Sequence, residues 1–336
     1  MRTKHIALRV SALLLTAAAL VFLLVKGTEG AIAMSQDTYD QVVLDEWFDL
    51  EGVDDITVEM ASLDVQILTC EGTQLRMVLE SNQSPENRVQ IAVERNGNTF
   101  LLQQIRRFRI GIFLNVRERL TVYLPMSYCD ALALKLSSGN MSMPGPRTLS
   151  DFTLKVSSGN LTIGEVTADA YALQATSGNL RLGTLRGSGT VRVTSGNVNI
   201  EALIGEQHDV SASSGSVKID TIIGETTMRV TSGTTRVEHF TGKGSFTASS
   251  GSLKVHIDEL LGDVSLRCTS GSLKAYVRRD ACFYFEGKCT SGSIKADFPT
   301  EKSGDWSKLA IATVGDKPVH TLRCDTASGT IKVLYP

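Results

Sequence analysis

The chain has 336 residues, 42% hydrophobic and only 6% aromatic, with 29 glycines, a balance suited to a long, aliphatic, turn-rich β protein. A formal net charge of -2 excludes a protein that works through bulk positive charge, so any basic surface must come from segregation of charge. Six cysteines (Cys70, Cys129, Cys268, Cys282, Cys289 and Cys324) are too few and too irregular for a disulfide scaffold, and no CxxC pair suggests a metal or redox site.

Arg2, Lys4 and Arg9 precede an apolar run from Val10 to Val25, "VSALLLTAAALVFLLV". At 16 residues it is short for a spanning helix and long for a signal-peptide core. Ala31-Ile32-Ala33 would serve as an A-x-A cleavage site, late after the run. A retained anchor and a cleaved signal both export the chain from about residue 35, since the basic residues stay inside. The expected location is the cell membrane, with one N-terminal anchor and an extracytoplasmic domain, and secretion after cleavage as the alternative. The expected divisions are 1–34 for this leader, 35–130 for a β-rich lead-in or cap, and 131–336 for repeats.

In the lead-in, "VQIAVERNGNTFLLQQI" is a strand-turn-strand with Asn96-Gly97 at the turn. "ITVEMASLDVQIL" is a worn copy of the repeat that follows, with Leu63 in the glycine position. A basic cluster of Arg106, Arg107, Arg109, Arg117 and Arg119 alternates with Phe108, Ile110, Ile112 and Leu114, as on a strand with one solvated face. Membrane-surface contact is the other reading of this cluster.

The repeats align on Gly139, Gly159, Gly178, Gly196, Gly215, Gly233, Gly251, Gly271, Gly292 and Gly329, with spacings of 20, 19, 18, 19, 18, 18, 20, 21 and 37. The last gap suggests a coil that lost its motif or carries an insertion. Serine precedes every one of these glycines; asparagine follows the first four, and serine or threonine the rest. Aliphatic residues sit three and five before the glycine (Leu154 and Val156) and two and four after it (Leu161 and Ile163). Each arm is a half-buried strand, but the phase slips across Ser-Gly, so the chain must bend there. A stacked solenoid and an antiparallel meander with Gly-Asn hairpin turns both satisfy that slip. The repetition of Ser and Asn favours the solenoid, where each side chain bonds to its copies about 4.8 Å above and below. The expected fold is therefore all-β, a single-stranded β-solenoid of about ten 18–21-residue coils with a β-rich N-terminal cap. Cys268 and Cys289 share one repeat position and are expected as small buried hydrophobes, with a bridge between neighbouring coils as the alternative.

An exported N-terminus, a lead-in closing in "VYLP" and tandem "SSGNLTI"-type repeats resemble the putative-adhesin β-strand-repeat family of bacterial envelope proteins, a domain of unknown function that includes the membrane-anchored Lia-operon G-type proteins. The resemblance covers roughly residues 40–336. It implies a single-stranded β-helix and an envelope location, and it brings no catalytic residues.

Charge is sorted by repeat position. Three residues after the glycine lie Arg181, Lys218, Arg236, Lys254, Lys274, Lys295 and Lys332. Four before it lie Lys135, Lys155, Arg192, Arg229, Arg267 and Lys288, and the only acid in the two columns is Asp325. The carboxylates, such as Glu201, Asp220 and Glu238, gather on the return segment, so stacking would make one side of the rod basic and another acidic. One reading is a track for an anionic envelope polymer, such as teichoic acid or an acidic polysaccharide, or for anionic lipid headgroups. The other is neutralisation two residues along the strand, Lys218 by Asp220, Arg236 by Glu238 and Lys295 by Asp297. The columns hold no aromatic residues on which bases could stack, so no nucleic acid is expected.

No reaction can be read from the chain. His5, His208, His239, His256 and His320 fall at unrelated repeat positions and are expected at the surface, with no metal. "SSG" is a corner and not a nucleophile elbow. The expected protein is non-enzymatic, without cofactor, and presents an adhesin-like interaction surface. The alternatives are an accessory or sensor component of an envelope-stress system contacting a membrane protein, and a β-helix carbohydrate-active enzyme.

Overall fold

The computed structural model describes residues 41–105, 116–303 and 308–336, and every regular element in them is a strand. The first seven are β1 (Gln41–Asp49), β2 (Asp55–Ser62), β3 (Asp64–Cys70), β4 (Gln74–Ser81), β5 (Gln90–Asn96), β6 (Thr99–Ile105) and β7 (Glu118–Pro125). The repeats begin with β8 (Ala131–Ser138), β9 (Asn140–Met143), β10 (Arg147–Val156), β11 (Asn160–Ile163) and β12 (Val166–Ala175). Longer runs follow in β13 (Asn179–Val193), β14 (Asn197–Ala212), β15 (Ser216–Val277) and β16 (Phe283–Ala296), then β17 (Glu301–Ser303), β18 (Lys308–Val314) and β19 (Thr321–Leu334).

Through the middle of the chain, strands pair in parallel with their copies one repeat away. Between β13 and β14, Leu180 lies opposite Val198, Leu182 opposite Ile200 and Val191 opposite Val210. The same columns continue into β15, where Val217, Ile219 and Met228 take the next places. Parallel pairing excludes the hairpin meander and makes the chain a stack of coils. Pairing lapses near Glu201 and again near Gly205 and Glu206, so each coil bends there as well as at Ser-Gly and has three short arms. The inward residues form one continuous core from the lead-in to Val333.

The corner glycines are required twice over. Their φ angles run from 111 to 142°, outside the range in which asparagine can substitute. A Cβ on Gly196 would also overlap the carbonyl oxygen of Gly178, and the same clash repeats up the column. A second column escapes the alignment above: Gly187, Gly205, Gly224 and Gly242 stack at the return bend, where a Cβ on each of the last three would meet the preceding glycine's carbonyl oxygen. Only the Ser-Gly motif is conspicuous in sequence; the second set sits in variable return segments.

Beside the first column, the asparagine ladder forms as expected. Asn160 Nδ2 donates to Asn140 Oδ1, Asn179 to Asn160 and Asn197 to Asn179, each at 3.1 Å. Its free end is closed by Asp64, which accepts both the backbone N–H and the side-chain amide of Asn140.

The ends are built differently. Leu63 does occupy a corner, its carbonyl oxygen 2.8 Å from where a Cβ of Gly139 would lie, so β2 and β3 form a coil beneath β8 and β9. On the far side of that coil lie β6 and β7, which come later in the chain. Their outer edges are taken by antiparallel β5 and β4, with β1 on β4.

At the C-terminal end the long gap before Gly329 is an insertion, the second of the two expected readings, and not a coil that lost its motif. After β16 the chain turns outward into β18 and β17, which pair antiparallel on its outer edge. It then returns so that β19 slides between β15 and β16, with Gly271, Gly329 and Gly292 stacked in that order. Cys268 and Cys289 therefore both face Thr326 and are two layers apart, roughly 10 Å, too far for a disulfide. Both are buried free thiols.

Candidate anion-binding face

Stacking turns the two sequence columns into different objects. In the column before the corner, the order is Glu59, Lys135, Lys155, Gln174, Arg192, Ser211 and Arg229. Neutral residues separate most of the cations, so they stand two layers, about 10 Å, apart. Lys135 lies 3.6 Å from Glu59, and Arg229 lies 3.6 Å from Asp209. At the C-terminal end Asp325 enters with β19 between Arg267, 3.3 Å away, and Lys288. This column is an interrupted ladder, paired with acids at Lys135, Arg229 and Arg267, and not a continuous basic stripe.

The column after the corner is continuous. Arg181 is followed by Asn199 and then Lys218. Along the glycine stack come Arg236, Lys254 and Lys274, and β19 and β16 add Lys332 and Lys295. From Lys218 to Lys295 six cations occupy successive layers, a run of about 24 Å. Like charges 4.8 Å apart repel by close to 1 kcal/mol per pair even in water.

Pairing is uneven along that run. Lys218 meets Asp220 at 2.8 Å, and Arg236 pairs with Glu238, as expected. The acidic column thus abuts the basic one in the middle coils and does not occupy a separate side. The expected Lys295–Asp297 pair does not form; Asp297 Oδ2 instead accepts the Tyr335 N–H at 3.1 Å. The Lys254 ammonium lies 4.9 Å from the centre of the Tyr276 ring. Lys274, Lys332 and Lys295 have no ion pair among the described residues. Toward the C-terminal end the return column changes from acid to His256 and Tyr276, whose rings lie 4.3 Å apart, and loses its neutralising partners. Burial first, and then the cations Lys254 and Arg236, hold His256 below its ordinary pKa, so it adds no positive charge at neutral pH.

The other singled-out residues lie elsewhere. His208 is not at the surface but fully buried: Tyr171 Oη is 2.7 Å from its Nδ1, and its Nε2 is 3.1 Å from the Ile223 carbonyl oxygen. Nδ1 accepts from the tyrosine and Nε2–H donates to the carbonyl, an assignment inferred from the partners. Desolvation lowers the pKa of His208 and raises that of Tyr171. Of the lead-in arginines, Arg119 lies 3.7 Å from Glu80, whereas Arg106, Arg107 and Arg109 fall outside the described residues. Val10–Val25 lies outside them too; among the described residues no helix is long and apolar enough to cross a membrane. No group of three or more metal-ligating side chains converges among the described residues.

These features define an all-β repeat protein with parallel stacked coils bordered at both ends by antiparallel strands. The profile of the Toastrack DUF4097 family matches residues 53–222 and 188–334, and the chain belongs to this family. Three solved structures show some similarity. A "putative cell adhesion protein" from Clostridium sporogenes ATCC 15579 is 8% identical, with 89% of this chain and 100% of that one covered and a TM-score of 0.22. A "putative lipid binding protein" from Parabacteroides distasonis ATCC 8503 is 11% identical, over 87% and 96%, with a TM-score of 0.36. A "putative adhesin" from Bacteroides fragilis NCTC 9343 is 16% identical, over 86% and 96%, with a TM-score of 0.24. At such TM-scores the superpositions carry no functional argument. No curated protein matches the chain.

Proposed function

We propose that this chain is a non-enzymatic, adhesin-like envelope protein whose exported coils present an interaction surface, and that the C-terminal part of the cation column engages an anionic polymer. The observation that carries this reading is the run Lys274–Lys332–Lys295, three successive layers of cations without ion-pair partners at the end of a six-layer column. Cations held about 5 Å apart on a rigid scaffold suit a ligand with repeated anionic groups, since each new contact adds without further ordering of the protein. The lysine-rich column fits phosphate or carboxylate groups as point charges without demanding one geometry.

The test is titration of the chain with teichoic acid, an acidic polysaccharide and anionic vesicles at several salt concentrations, beside a Lys274→Glu/Lys332→Glu/Lys295→Glu variant. Binding that weakens with salt and disappears in the variant supports the reading. Equal binding by both proteins, or none, removes it and leaves a membrane protein partner as the reading to pursue.

A further inference from the structure

We infer that the C-terminal end of the rod carries a second site, a groove for a neutral saccharide chain. Its floor is the outward face of four adjacent strands in the order β17, β18, β16 and β19. The groove holds about 680 Å³, within the range of ligand sites.

A departure from the repeat pattern marks it. Eight residues before each of the other nine corner glycines the residue is alanine or polar, from Ala131 and Ala170 to Asp263 and Thr321, but in β16 the same position is Tyr284, 47% exposed. Ile311, on β18 and 42% exposed, is the second large apolar group on this face. Stacking does not require either residue, and local rules tend to be broken where something other than the fold is selected.

The groups around them fall into two rows. In the first, Tyr284 lies between Thr313 and Thr321. In the second, Ile311 lies between Glu301 and Glu286, and Glu286 faces Arg323. The rows are two residues apart along the strands, roughly 7 Å, about the width of a sugar ring. A pyranose has an apolar C–H face and a polar hydroxyl rim. The tyrosine ring offers a flat face to the former, and hydroxyls, carboxylates and a guanidinium offer donors and acceptors to the latter.

Charge decides the class of sugar. Glu286 and Arg323 neutralise each other at 3.0 Å, leaving Glu301 and a local balance of -1 from two acids and one base. That balance disfavours the polyanion assigned to the lysine column, and a floor with two carboxylates disfavours an acyl chain. The ligand class is a neutral hexopyranose oligosaccharide.

The full-length chain, held in a detergent without a sugar headgroup, would be titrated with maltohexaose, cellohexaose and chitohexaose. Binding of at least one, weakened about tenfold or more by Tyr284→Thr and by Ile311→Thr, is the expected result. Both substitutions restore an ordinary polar outward residue, so an unchanged thermal midpoint shows that folding is intact. The lysine-to-glutamate variant above should bind the oligosaccharide as the parent does, so either site can fail without the other. No binding of any of the three, or binding that survives Tyr284→Thr and Ile311→Thr, would overturn the inference.

Discussion

Between Gly139 and Gly271 the order of coils in the stack is their order in the chain. At both ends the two orders part. The early coil of β2 and β3 is covered by the later β6 and β7, and the final strand β19 lies inside β16 and not beyond it. In each case the outermost parallel strands then receive antiparallel partners. The difference teaches that the repeat alone builds a rod but cannot finish one. A coil's upper and lower edges are alike, so a rod that simply stopped would leave an edge open to another chain. Interleaving anchors the closing strands by pairing them on two sides.

The largest effect that would test this contrast is at the corners. Gly196→Ala should cost about 3 kcal/mol or more, because it combines a positive φ with overlap of a neighbouring carbonyl oxygen. Gly97, at the β5–β6 hairpin tip, has φ 61° and nothing within 4 Å of a Cβ. Gly97→Asn should therefore stay within about 0.5 kcal/mol of the parent. Denaturant unfolding of both variants checks the pair, and equal costs would break the distinction between stacked corner and free turn.

Next is the C-terminal insertion. Asp325→Lys puts a third cation between Arg267 and Lys288 and should cost about 2 kcal/mol from two adjacent repulsions. Hydrogen exchange should show the loss of protection concentrated in 264–277, 283–296 and 321–334, while 179–230 stays protected. Uniform loss along the rod would mean that the ends are not separate from the middle.

His208 supplies a smaller, pH-dependent effect. Its folded pKa lies below the ordinary 6.5, so below that pH the unfolded chain binds more protons than the folded one. Stability is full above 6.5 and falls as pH drops toward the folded value. His208→Gln should flatten the thermal midpoint between pH 6.5 and 5 relative to the parent; identical slopes would remove His208 from the pH response. Smallest is the ladder: Asn160→Ala deletes two exposed hydrogen bonds and should cost about 1 kcal/mol, read from the same unfolding curves. A cost above that of Asp325→Lys would mean the ladder, and not the end strands, sets the weak point.

Much of this was legible in residues. The phase slip at Ser-Gly, the run of Ser and Asn, and the Leu63 variant of the corner pointed to stacked coils and to the asparagine ladder, because a parallel stack repeats every contact at a fixed period. The cation columns were legible as positions, but whether they were continuous was not. Continuity depends on which coils are neighbours, and Asp325 looked like one exception in a basic list until β19 placed it between Arg267 and Lys288. The same holds for Lys295, whose expected partner Asp297 instead accepts the Tyr335 N–H.

By itself, then, the sequence determined an all-β chain, the bend at each corner, the inward and outward faces and the existence of a long stack, since all of these follow from local alternation and from glycine geometry. Only the tertiary structure decided the order of coils at the two ends, and with it the split between paired and unpaired cations and the groove beside β16. The physical reason is degeneracy. Gly292 could stack on Gly271 as well as on Gly329, with matching aliphatic columns in either arrangement, and a periodic pattern cannot rank two equally periodic solutions. The arrangement found is accompanied by contacts that do not repeat along the stack: Asp325 with Arg267, Arg323 with Glu286, and the Thr321 N–H donated to Asp263.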